Sequence, residues 1–400
     1  MKSALAEVSS VDSLHRAWRS LYERSSVRSR KSCGVDDQSL VDFDKSPTVG
    51  CREISRQMRG QGGYQFAALR SVSLPKGDDK YRIICVPTVR DRIVQRAIVN
   101  FLAAGDRCRL ANAVSFGFIP GRSVEIAAKT AQALRGVKRW VYKTDITAFF
   151  DSISRDVLRE RIINHVRDRS LHSLLIAAAN CEIAPTSKTR MKRIEAAGIK
   201  SGKGVRQGMP LSPFFANLLL RNFDGIIQKA GISMFRYADD LICFCETNEA
   251  CNIVHELVGN ALLKEGLSVP AVGPESKSRI YGPDELADFL GLQLRPQSGD
   301  YMLEVSAKQT QKIRQRVISF SDIDSLDKQG ITFTSFLRRL DGLLAGYSGA
   351  YDFAANAKHL EAVLESARSE ALEQLFTKTL GINVKGLPPA QKRFLGISAD

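Results

Sequence analysis

Two short apolar segments flank a polar turn in the second half of the chain, and this pattern predicts a β-hairpin. Apolar residues dominate positions 232–235 before the turn and positions 241–244 after it, and Asp239 and Asp240 lie between them. Two adjacent carboxylates repel each other, and a neighbouring apolar core disfavours their charge. We therefore expect a cation to relieve the repulsion, although an Asp-Asp pair is also common in ordinary polar turns.

A second aromatic and β-branched segment, residues 141–151, carries another carboxylate, Asp145. Carboxylate oxygens are hard ligands that suit Mg²⁺, which also leaves room for the phosphates of a substrate. Two apolar strands that each deliver an aspartate are what a two-metal phosphoryl-transfer site needs. In such a site one ion activates the attacking hydroxyl, and the other neutralises the leaving pyrophosphate.

The remaining pattern predicts a second hairpin and a series of helices. The hairpin has strands over residues 66–74 and 81–86, and its turn at residues 75–79 carries Lys76. Helical spacing covers the following segments: residues 11–22, a helix that opens at Pro87, residues 124–134, a helix capped by Ser154, a helix that begins at Ser212, and residues 306–320, 334–344 and 355–376. The Ser/Arg run at residues 25–31 is expected to be a loop. A solvated loop is the plainer interpretation of the basic stretch from Lys188 to Arg206, for which contact with a nucleic-acid duplex is favoured.

Composition favours a globular protein with a polyanionic partner. The chain has 400 residues, 44% hydrophobic and 25% charged, which is enough for two or three subdomains. Its net charge of +15 favours nucleic acid as the partner. No apolar run approaches the length of a membrane span, and residues 1–10 lack the pattern of a signal peptide. We therefore expect a cytoplasmic protein whose eight cysteines are free thiols.

Three segments in fixed order resemble the motifs of reverse transcriptases. The segment around Asp145 is similar to their motif A, residues 206–213 are similar to motif B, and residues 237–240, Tyr-Ala-Asp-Asp, are similar to motif C. The resemblance covers roughly residues 10 to 295. Within the family, the chain resembles bacterial enzymes of the group II intron and retron-like lineage, and it looks most like the defence-associated, antiphage reverse transcriptases.

The resemblance implies an α+β fold, namely a right-hand polymerase fold whose fingers and palm contain antiparallel sheet and precede an α-helical thumb. It divides the chain into an N-terminal extension at residues 1–60, fingers and palm at 61–300, and a thumb at 301–400. It also implies an RNA-directed DNA polymerase, in which a primer 3′-hydroxyl attacks the α-phosphate of a dNTP. A partner non-coding RNA is the expected template, DNA is the product, and antiphage defence is the expected role.

The resemblance assigns catalysis to Asp145, Asp239 and Asp240, which would hold two Mg²⁺ ions together with the carbonyl of Ile146. The residues expected to contact the incoming nucleotide are Lys76, Arg82, Phe150, Gln207 and Lys277. Among them, Phe150 would exclude a ribose 2′-hydroxyl, and Lys277 would act as general acid for pyrophosphate. The residues expected to contact the template or primer are Arg122, Lys203, Arg206, Phe289, Leu290 and Gly291.

Plainer interpretations of several residues stay open beside these. Arg122 and residues 289–291 also fit ordinary turns, and Lys277 also fits a surface lysine. For the whole protein, the alternatives are a retron-type or intron-derived reverse transcriptase, an RNA-synthesising polymerase, and a polymerase-fold protein that binds RNA without synthesis. The sequence leaves the oligomeric state and the priming mode open.

Overall fold

The computed structural model describes residues 3–77 and 80–396 of the chain. Its helices and antiparallel strand pairs confirm the predicted α+β class. The hairpin predicted over residues 66–86 is present, although its first strand begins later than expected and continues to Gly77. The predicted turn includes Asp78 and Asp79, which lie outside the described residues.

The helices of the described chain cover most of its length. They are α1 (Ala4–Val8), α2 (Val11–Arg24), α3 (Val27–Arg30), α4 (Leu40–Phe43), α5 (Pro47–Arg59), α6 (Val89–Ala103), α7 (Val124–Val137), α8 (Phe149–Ser152), α9 (Arg155–His165), α10 (His172–Ala179), α11 (Lys188–Ala196), α12 (Ser212–Lys229), α13 (Asn248–Leu263), α14 (Ala307–Ile318), α15 (Ile323–Lys328), α16 (Phe333–Ala350), α17 (Ala357–Gln374) and α18 (Pro389–Phe394). Short 3₁₀ or π-helical turns are Arg169–Leu171, Ser319–Ser321, Leu375–Thr379 and Val384–Gly386.

The strands form three sheets within the described residues. They are β1 (Arg70–Gly77), β2 (Lys80–Val86), β3 (Trp140–Asp145), β4 (Ser233–Tyr237), β5 (Asp240–Cys245), β6 (Arg279–Tyr281), β7 (Ala287–Phe289), β8 (Leu292–Gln297) and β9 (Asp300–Val305). The pair β1-β2 is antiparallel, the four-stranded sheet has the order β4-β5-β3-β6, and β7-β8-β9 form an antiparallel sheet of three strands.

The chain divides into two compact units. The first comprises Met1–Arg122 and Tyr142–Ile280, and the second comprises Ser123–Val141 and Tyr281–Asp400. In the first unit, β5 is buried along almost its whole length, as its unbroken apolar run predicts. The long helix α12 begins at Ser212 with Pro213 in its first turn, as predicted, and buries most of its apolar residues in the same core.

The second unit is built around the sheet β7-β8-β9 and the C-terminal helices. Helix α7 packs on β9, and α14 and α16 both pack on α17. Arg135 of α7 is fully buried, and its guanidinium lies 4.3 Å from the centre of the Tyr301 ring. It donates hydrogen bonds to the Leu294 carbonyl at 2.6 Å and the Glu285 carbonyl at 2.6 Å. One buried cation thus ties α7 to the sheet and to the preceding loop.

Two segments predicted to be loops contain helices. The Ser/Arg run forms the one-turn helix α3, and part of the basic stretch forms α11. Helix α11 lacks an apolar stripe, because Ile194 is its one buried residue, and so the sequence pattern gave no helical signal. In the structure α11 packs on β1 and β2, and the Arg193 guanidinium lies 4.6 Å from the centre of the Tyr81 ring. Tertiary packing therefore stabilises a helix that periodicity does not predict. No helix of the described chain is both long enough and apolar enough to cross a bilayer.

Candidate active site

The Tyr-Ala-Asp-Asp segment forms a tight connection between β4 and β5. Tyr237 pairs with Asp240 at the end of the ladder, so only Ala238 and Asp239 make the turn. Ala238 has a φ of +58°, a left-handed conformation that ordinarily favours glycine. The turn therefore presents the two aspartates at the end of a buried strand pair, as the sequence predicts.

A buried arginine fixes this turn through an ion pair and hydrogen bonds. Arg236 and Asp224 of α12 are 0% and 1% exposed, and their ion pair has an N–O distance of 2.7 Å. Arg236 also donates to Asn217 Oδ1 at 3.0 Å, the Ala238 carbonyl at 3.2 Å and Ser115 Oγ at 2.8 Å. With two bonds to Asp224, all five of its N–H groups have acceptors. Breaking such a buried pair costs about 3–5 kcal/mol, so the network fixes the turn firmly.

The strand β3 brings Asp145 to the same place. Asp145 is the last residue of β3, which lies beside β5 in the sheet. The next amide, that of Ile146, donates to the Asp239 carbonyl at 3.0 Å. Burial raises the pKa of Asp239, and the nearby charge of Asp145 raises it further. The structure therefore brings together the carboxylates of motif A and motif C.

Asp240 is largely buried, with 21% of its side chain exposed. Burial raises its pKa to about 7, and the charges of Asp145 and Asp239 act in the same direction. Lys143 of β3 opposes this shift, with its ammonium 3.4 Å from Asp240 Oδ2. The other oxygen, Oδ1, is buried and has no hydrogen-bond partner among the residues that the structure describes. Lys143 thus compensates one oxygen of this carboxylate and leaves the other available to a further positive group.

Lys277, for which the sequence predicts a contact with the nucleotide, lies beside Asp145. Its ammonium lies 2.6 Å from Asp145 Oδ2, while 66% of its side chain is exposed. An exposed ion pair of this kind stabilises a fold by at most about 1 kcal/mol. The position of Lys277 therefore matters more for the chemistry of the site than for folding.

The donor set fits a divalent cation. Among the residues that the structure describes, no group of three or more His, Cys, Asp or Glu side chains stands in a metal-binding arrangement. However, Asp240 Oδ1 has no partner among the described residues, and the pKa of Asp239 is raised by burial and then by the charge of Asp145. Carboxylate oxygens are the ligands that Mg²⁺ prefers, and a cation at this place would relieve the repulsion.

The hairpin β1-β2 adds basic side chains and is joined to motif B. Lys76 and Arg82 are both exposed, and the charge of Arg82 lowers the pKa of Asp239. The amide of Cys85 donates to the Gln207 carbonyl at 2.7 Å. Gly208 has a φ of +108°, and a Cβ there would lie 2.5 Å from the Cys85 carbonyl oxygen. Glycine is required at this position because motif B lies against β2.

Phe150 and its neighbour Phe149 differ in burial. Phe149 is buried in the core, while Phe150 is half-buried and lies in the first turn of α8. Helix α8 follows Ala148, which has a φ of +44°. The Phe150 carbonyl accepts a hydrogen bond from the Val205 amide at 2.8 Å, so its backbone is tied to the segment before motif B. Gln207, two residues after Val205 and within motif B, has a half-buried side chain.

Arg206 requires a correction. It is 2% exposed, and its guanidinium donates to Glu182 Oε2 at 2.7 Å and to the Lys200 carbonyl at 2.7 Å. A buried guanidinium is not available to a nucleic acid, so Arg206 fixes the chain ahead of motif B instead. Burial alone would raise the pKa of Glu182, but hydrogen bonds from Arg206, Gly202 and Arg155 outweigh it and lower the pKa.

The other predicted nucleic-acid contacts fall into two groups. Lys203 is exposed, whereas Arg122 is half-buried. The Arg122 guanidinium donates to the Ser115 carbonyl and lies 4.6 Å from the centre of the Phe116 ring. Arg122 therefore fixes the loop before α7. The accessible part of its half-buried side chain stays a candidate for contacting a template.

Residues 289–291 form a tight turn within the second unit. Leu290 has a φ of +54° and Gly291 a φ of +82°, so the predicted sharp turn is present. Phe289 is 1% exposed and belongs to the core of that unit. The prediction that Phe289 contacts the primer directly is therefore corrected. Leu290 and Gly291 are half-buried and stay candidates for this contact.

Sequence reasoning missed the buried residues that hold the site. Arg236, Asp224 and Asn217 received no role, and neither did Lys143, the partner of Asp240. A signal was present, because an arginine within an apolar strand is rarely buried unless it is paired. The identity of the partner was not readable, since Asp224 lies on another element.

Several known proteins are similar in sequence to this chain. Protein YkfC of Escherichia coli (strain K12) is 29% identical over 194 residues, which are 45% of this chain and 46% of that protein. The Retron Ec83 reverse transcriptase of Escherichia coli is 26% identical over 199 residues, 48% of this chain and 57% of that protein. The Group II intron-encoded protein LtrA of Lactococcus lactis subsp. cremoris is 23% identical over 231 residues, 58% of this chain and 36% of that protein.

The chain thus spans between 36% and 57% of the length of these relatives. Residues 74–294 match the family described as Reverse transcriptase (RNA-dependent DNA polymerase), and this match covers more than half of the 400 residues. The predicted likeness to the group II intron and retron-like lineage is confirmed by the relatives. The chain belongs to the reverse transcriptase family.

Proposed function

We propose that the protein is an RNA-directed DNA polymerase that extends a primer by attack of its 3′-hydroxyl on the α-phosphate of a dNTP. The observation that carries the proposal is the meeting of Asp145 with Asp239 and Asp240 at the ends of three neighbouring strands. Three carboxylates in one place destabilise a protein that has no use for them. A phosphoryl-transfer site needs such carboxylates, because they bind the cations that neutralise the charge on the reacting oxygens.

In this proposal the three aspartates hold two Mg²⁺ ions, with the Ile146 carbonyl as a further ligand. When bound, the ions supply the charge that activates a hydroxyl and neutralises pyrophosphate. The chain itself fixes the carboxylates through the Arg236 network and the ion pair of Lys143 with Asp240. Lys277 stands beside Asp145, where its ammonium has a proton to give to the leaving group.

The incoming nucleotide is assigned to the space beside the hairpin β1-β2. Arg82 supports this assignment, because its charge already acts on Asp239. Arg82 and the exposed Lys76 would bind the triphosphate, since guanidinium and ammonium groups both favour phosphate oxygens. The half-buried ring of Phe150 would exclude a 2′-hydroxyl, and Gln207 would hydrogen-bond the nucleotide.

The template and primer are assigned to exposed basic and turn residues. Lys203 and the exposed cations of α11 lie in the segment that leads into motif B. The free edge of Arg122 and the turn at Leu290 and Gly291 complete the proposed contacts. Residues 1–60 are proposed as an N-terminal extension, 61–300 as fingers and palm, and 301–400 as a thumb.

The proposal includes a dedicated RNA template. We assign this template to a partner non-coding RNA and the biological role to antiphage defence, on the sequence resemblance. A cytoplasmic location is part of the proposal, because buried thiols such as Cys51, Cys85 and Cys108 are free and a reducing compartment keeps thiols in that state. A retron-type enzyme is the second candidate, and the similarity to the Ec83 enzyme favours it. The type of structured RNA encoded beside the gene discriminates between the two.

Primer extension tests the central claim. The purified protein is given a 5′-labelled DNA primer on an RNA template with Mg²⁺ and the four dNTPs. A double variant, Asp239→Ala/Asp240→Ala, and a control, Asp156→Asn, are assayed in parallel. Asp156 is an exposed carboxylate in the first turn of α9, so its variant removes one negative charge without touching the site.

The expected result is extension by the parent and the control and none by the double variant. Extension that survives in the double variant would contradict the assignment of the aspartates. If the parent binds RNA yet extends no primer, the alternative of a polymerase-fold RNA-binding protein replaces the proposal. Incorporation of rNTPs in preference to dNTPs would favour the RNA-synthesising alternative.

The template claim has a separate test. Nucleic acid that co-purifies from cells is sequenced for the parent and for the double variant. One small RNA enriched in both, with complementary DNA only in the parent, supports a dedicated template. Random RNA in both would leave the polymerase without one. Phage plating on cells that express either protein tests the defence role.

A further inference from the structure

Phe118 stands in an unusual position beside the catalytic turn. It has a φ of +61°, and 53% of it is exposed. The left-handed region disfavours any residue with a Cβ, and a bulky ring most of all. Single exposed apolar residues are common on protein surfaces, so exposure alone indicates nothing. The combination of a strained backbone with an exposed aromatic ring needs a reason.

The backbone on both sides of Phe118 is fixed by the site itself. A Cβ on Gly117 would lie 2.5 Å from the Ala238 nitrogen, so this loop lies directly against the catalytic turn. The Gly117 carbonyl accepts a hydrogen bond from Asn217 at 2.9 Å, and Phe116 and Ile119 are both buried. The surroundings therefore impose the left-handed conformation on position 118. Glycine or asparagine would adopt it with less strain.

The ring of Phe118 extends the surface of the motif C tyrosine. The centroids of the Phe118 and Tyr237 rings are 6.2 Å apart, and the ring planes are inclined by 44°. Tyr237 is itself half-buried. Two partly exposed rings thus stand together at the turn that carries Asp239. An exposed aromatic face offers a stacking surface to nucleobases, which all have π-faces.

We propose that Phe118 and Tyr237 form an aromatic platform that holds the terminal nucleotide of the primer strand by stacking against its base or sugar. This inference rests on the proposed polymerase function and adds a residue that determines how the primer end is held. The partner is a nucleic-acid strand with a recessed 3′ end, because Tyr237 pairs with Asp240 and is separated from Asp239 by one residue, and that end must react at these carboxylates. The strain at position 118 is then retained because an aromatic ring is needed there.

Equilibrium binding of a primer–template tests the platform. The probe is a DNA primer with 2-aminopurine at its 3′ end on an RNA template, measured by anisotropy and by 2-aminopurine emission. A blunt duplex of the same length is the companion probe. The variants are Phe118→Asn, Phe118→Leu and Phe118→Trp. Leu263→Asn, which removes another exposed apolar side chain of the first unit, serves as the control.

Phe118→Asn should weaken binding of the recessed duplex by roughly 5- to 100-fold, the range expected for one lost base stack. Its unfolding midpoint should stay unchanged or rise, because asparagine tolerates the left-handed backbone. Phe118→Trp should keep the affinity and the quenched emission, while Phe118→Leu should lose both despite equal strain. The blunt duplex and the Leu263→Asn protein should show no change.

Three results would overturn the inference. One is equal affinity of Phe118→Asn and the parent for the recessed duplex, as expected if the ring docks a protein partner. Another is an equal loss on both duplexes, which would indicate general damage. The third is equal behaviour of the leucine and tryptophan variants. A parent protein that binds neither duplex would instead overturn the proposed function, and the platform with it.

Discussion

Gly117→Ala should slow nucleotide addition while leaving the protein folded. The new Cβ would lie 2.5 Å from the Ala238 nitrogen and 3.1 Å from the Tyr237 carbonyl carbon, both of them backbone atoms. Its contact must lengthen from 2.5 Å to about 3.4 Å before it is ordinary, so loop and turn must separate by about 0.9 Å. Because Asp239 follows Ala238 directly, this separation displaces a catalytic carboxylate.

The size of the effect follows from that displacement. A shift near 1 Å at a reacting group lowers the rate by about 100-fold. Overpacking of a buried site lowers the free energy of unfolding by about 1–3 kcal/mol. The assay is single-turnover addition of one dNTP to a labelled primer on RNA. Urea unfolding of the same preparations measures the free energy of unfolding and the folded fraction.

Gly225→Ala is the matched control. Gly225 lies within α12, and a Cβ there meets nothing within 4 Å. That variant should gain about 0.5–1 kcal/mol of stability from alanine in a helix and keep the parent rate. If Gly117→Ala adds nucleotides as fast as Gly225→Ala, the close approach does not position the catalytic turn, and the reasoning is refuted.

Three further predictions concern single side chains. Phe150→Ala should raise the use of rNTPs relative to dNTPs by about 10-fold or more, measured by competitive incorporation; unchanged sugar selection would contradict its assignment as the gate. Lys277→Ala should slow addition by about 100-fold or more if its ammonium gives the proton, with a change of less than about 1 kcal/mol in unfolding free energy because its pair with Asp145 is exposed. The folded-state pKa of Glu182 is lowered, so its stabilisation is complete above its ordinary pKa of 4.5 and disappears as pH falls through the folded value. Urea unfolding between pH 7 and pH 3 should therefore show a shallower acid loss for Glu182→Gln, together with about 1–3 kcal/mol lower stability at pH 7, since a donor of the buried Arg206 loses its charged acceptor.

Local sequence signals were sufficient for the elements that carry the motifs. The hairpin around Asp239 follows from two apolar runs and a turn. Helix α9 follows from Ser154, whose side chain accepts a hydrogen bond from the Val157 amide as a helix cap does. Such features depend on a few neighbouring residues, and those neighbours are visible in the sequence.

Features that depend on distant partners were not predictable in the same way. Arg206 is buried because Glu182, 24 residues earlier, accepts its hydrogen bond. Strand β9 lies just before the predicted helix at residues 306–320, where no strand was predicted, and it is stabilised by pairing with β8. The close contact of Gly117 with the catalytic turn joins segments that are far apart in the chain. A single sequence does not show which of these distant residues contact each other.

The buried pair of Arg236 and Asp224 separates two responses of the protein to ionic strength. Dissolved ions screen exposed charges strongly and enclosed ones only weakly, and this pair is fully enclosed. Lys76 and Lys203 are exposed, so their attraction for phosphates should fall steeply as salt is added. Concentrated salt should therefore release the nucleic acid while the catalytic turn keeps its shape. Dilution should restore full activity at once, because nothing at the centre has to refold.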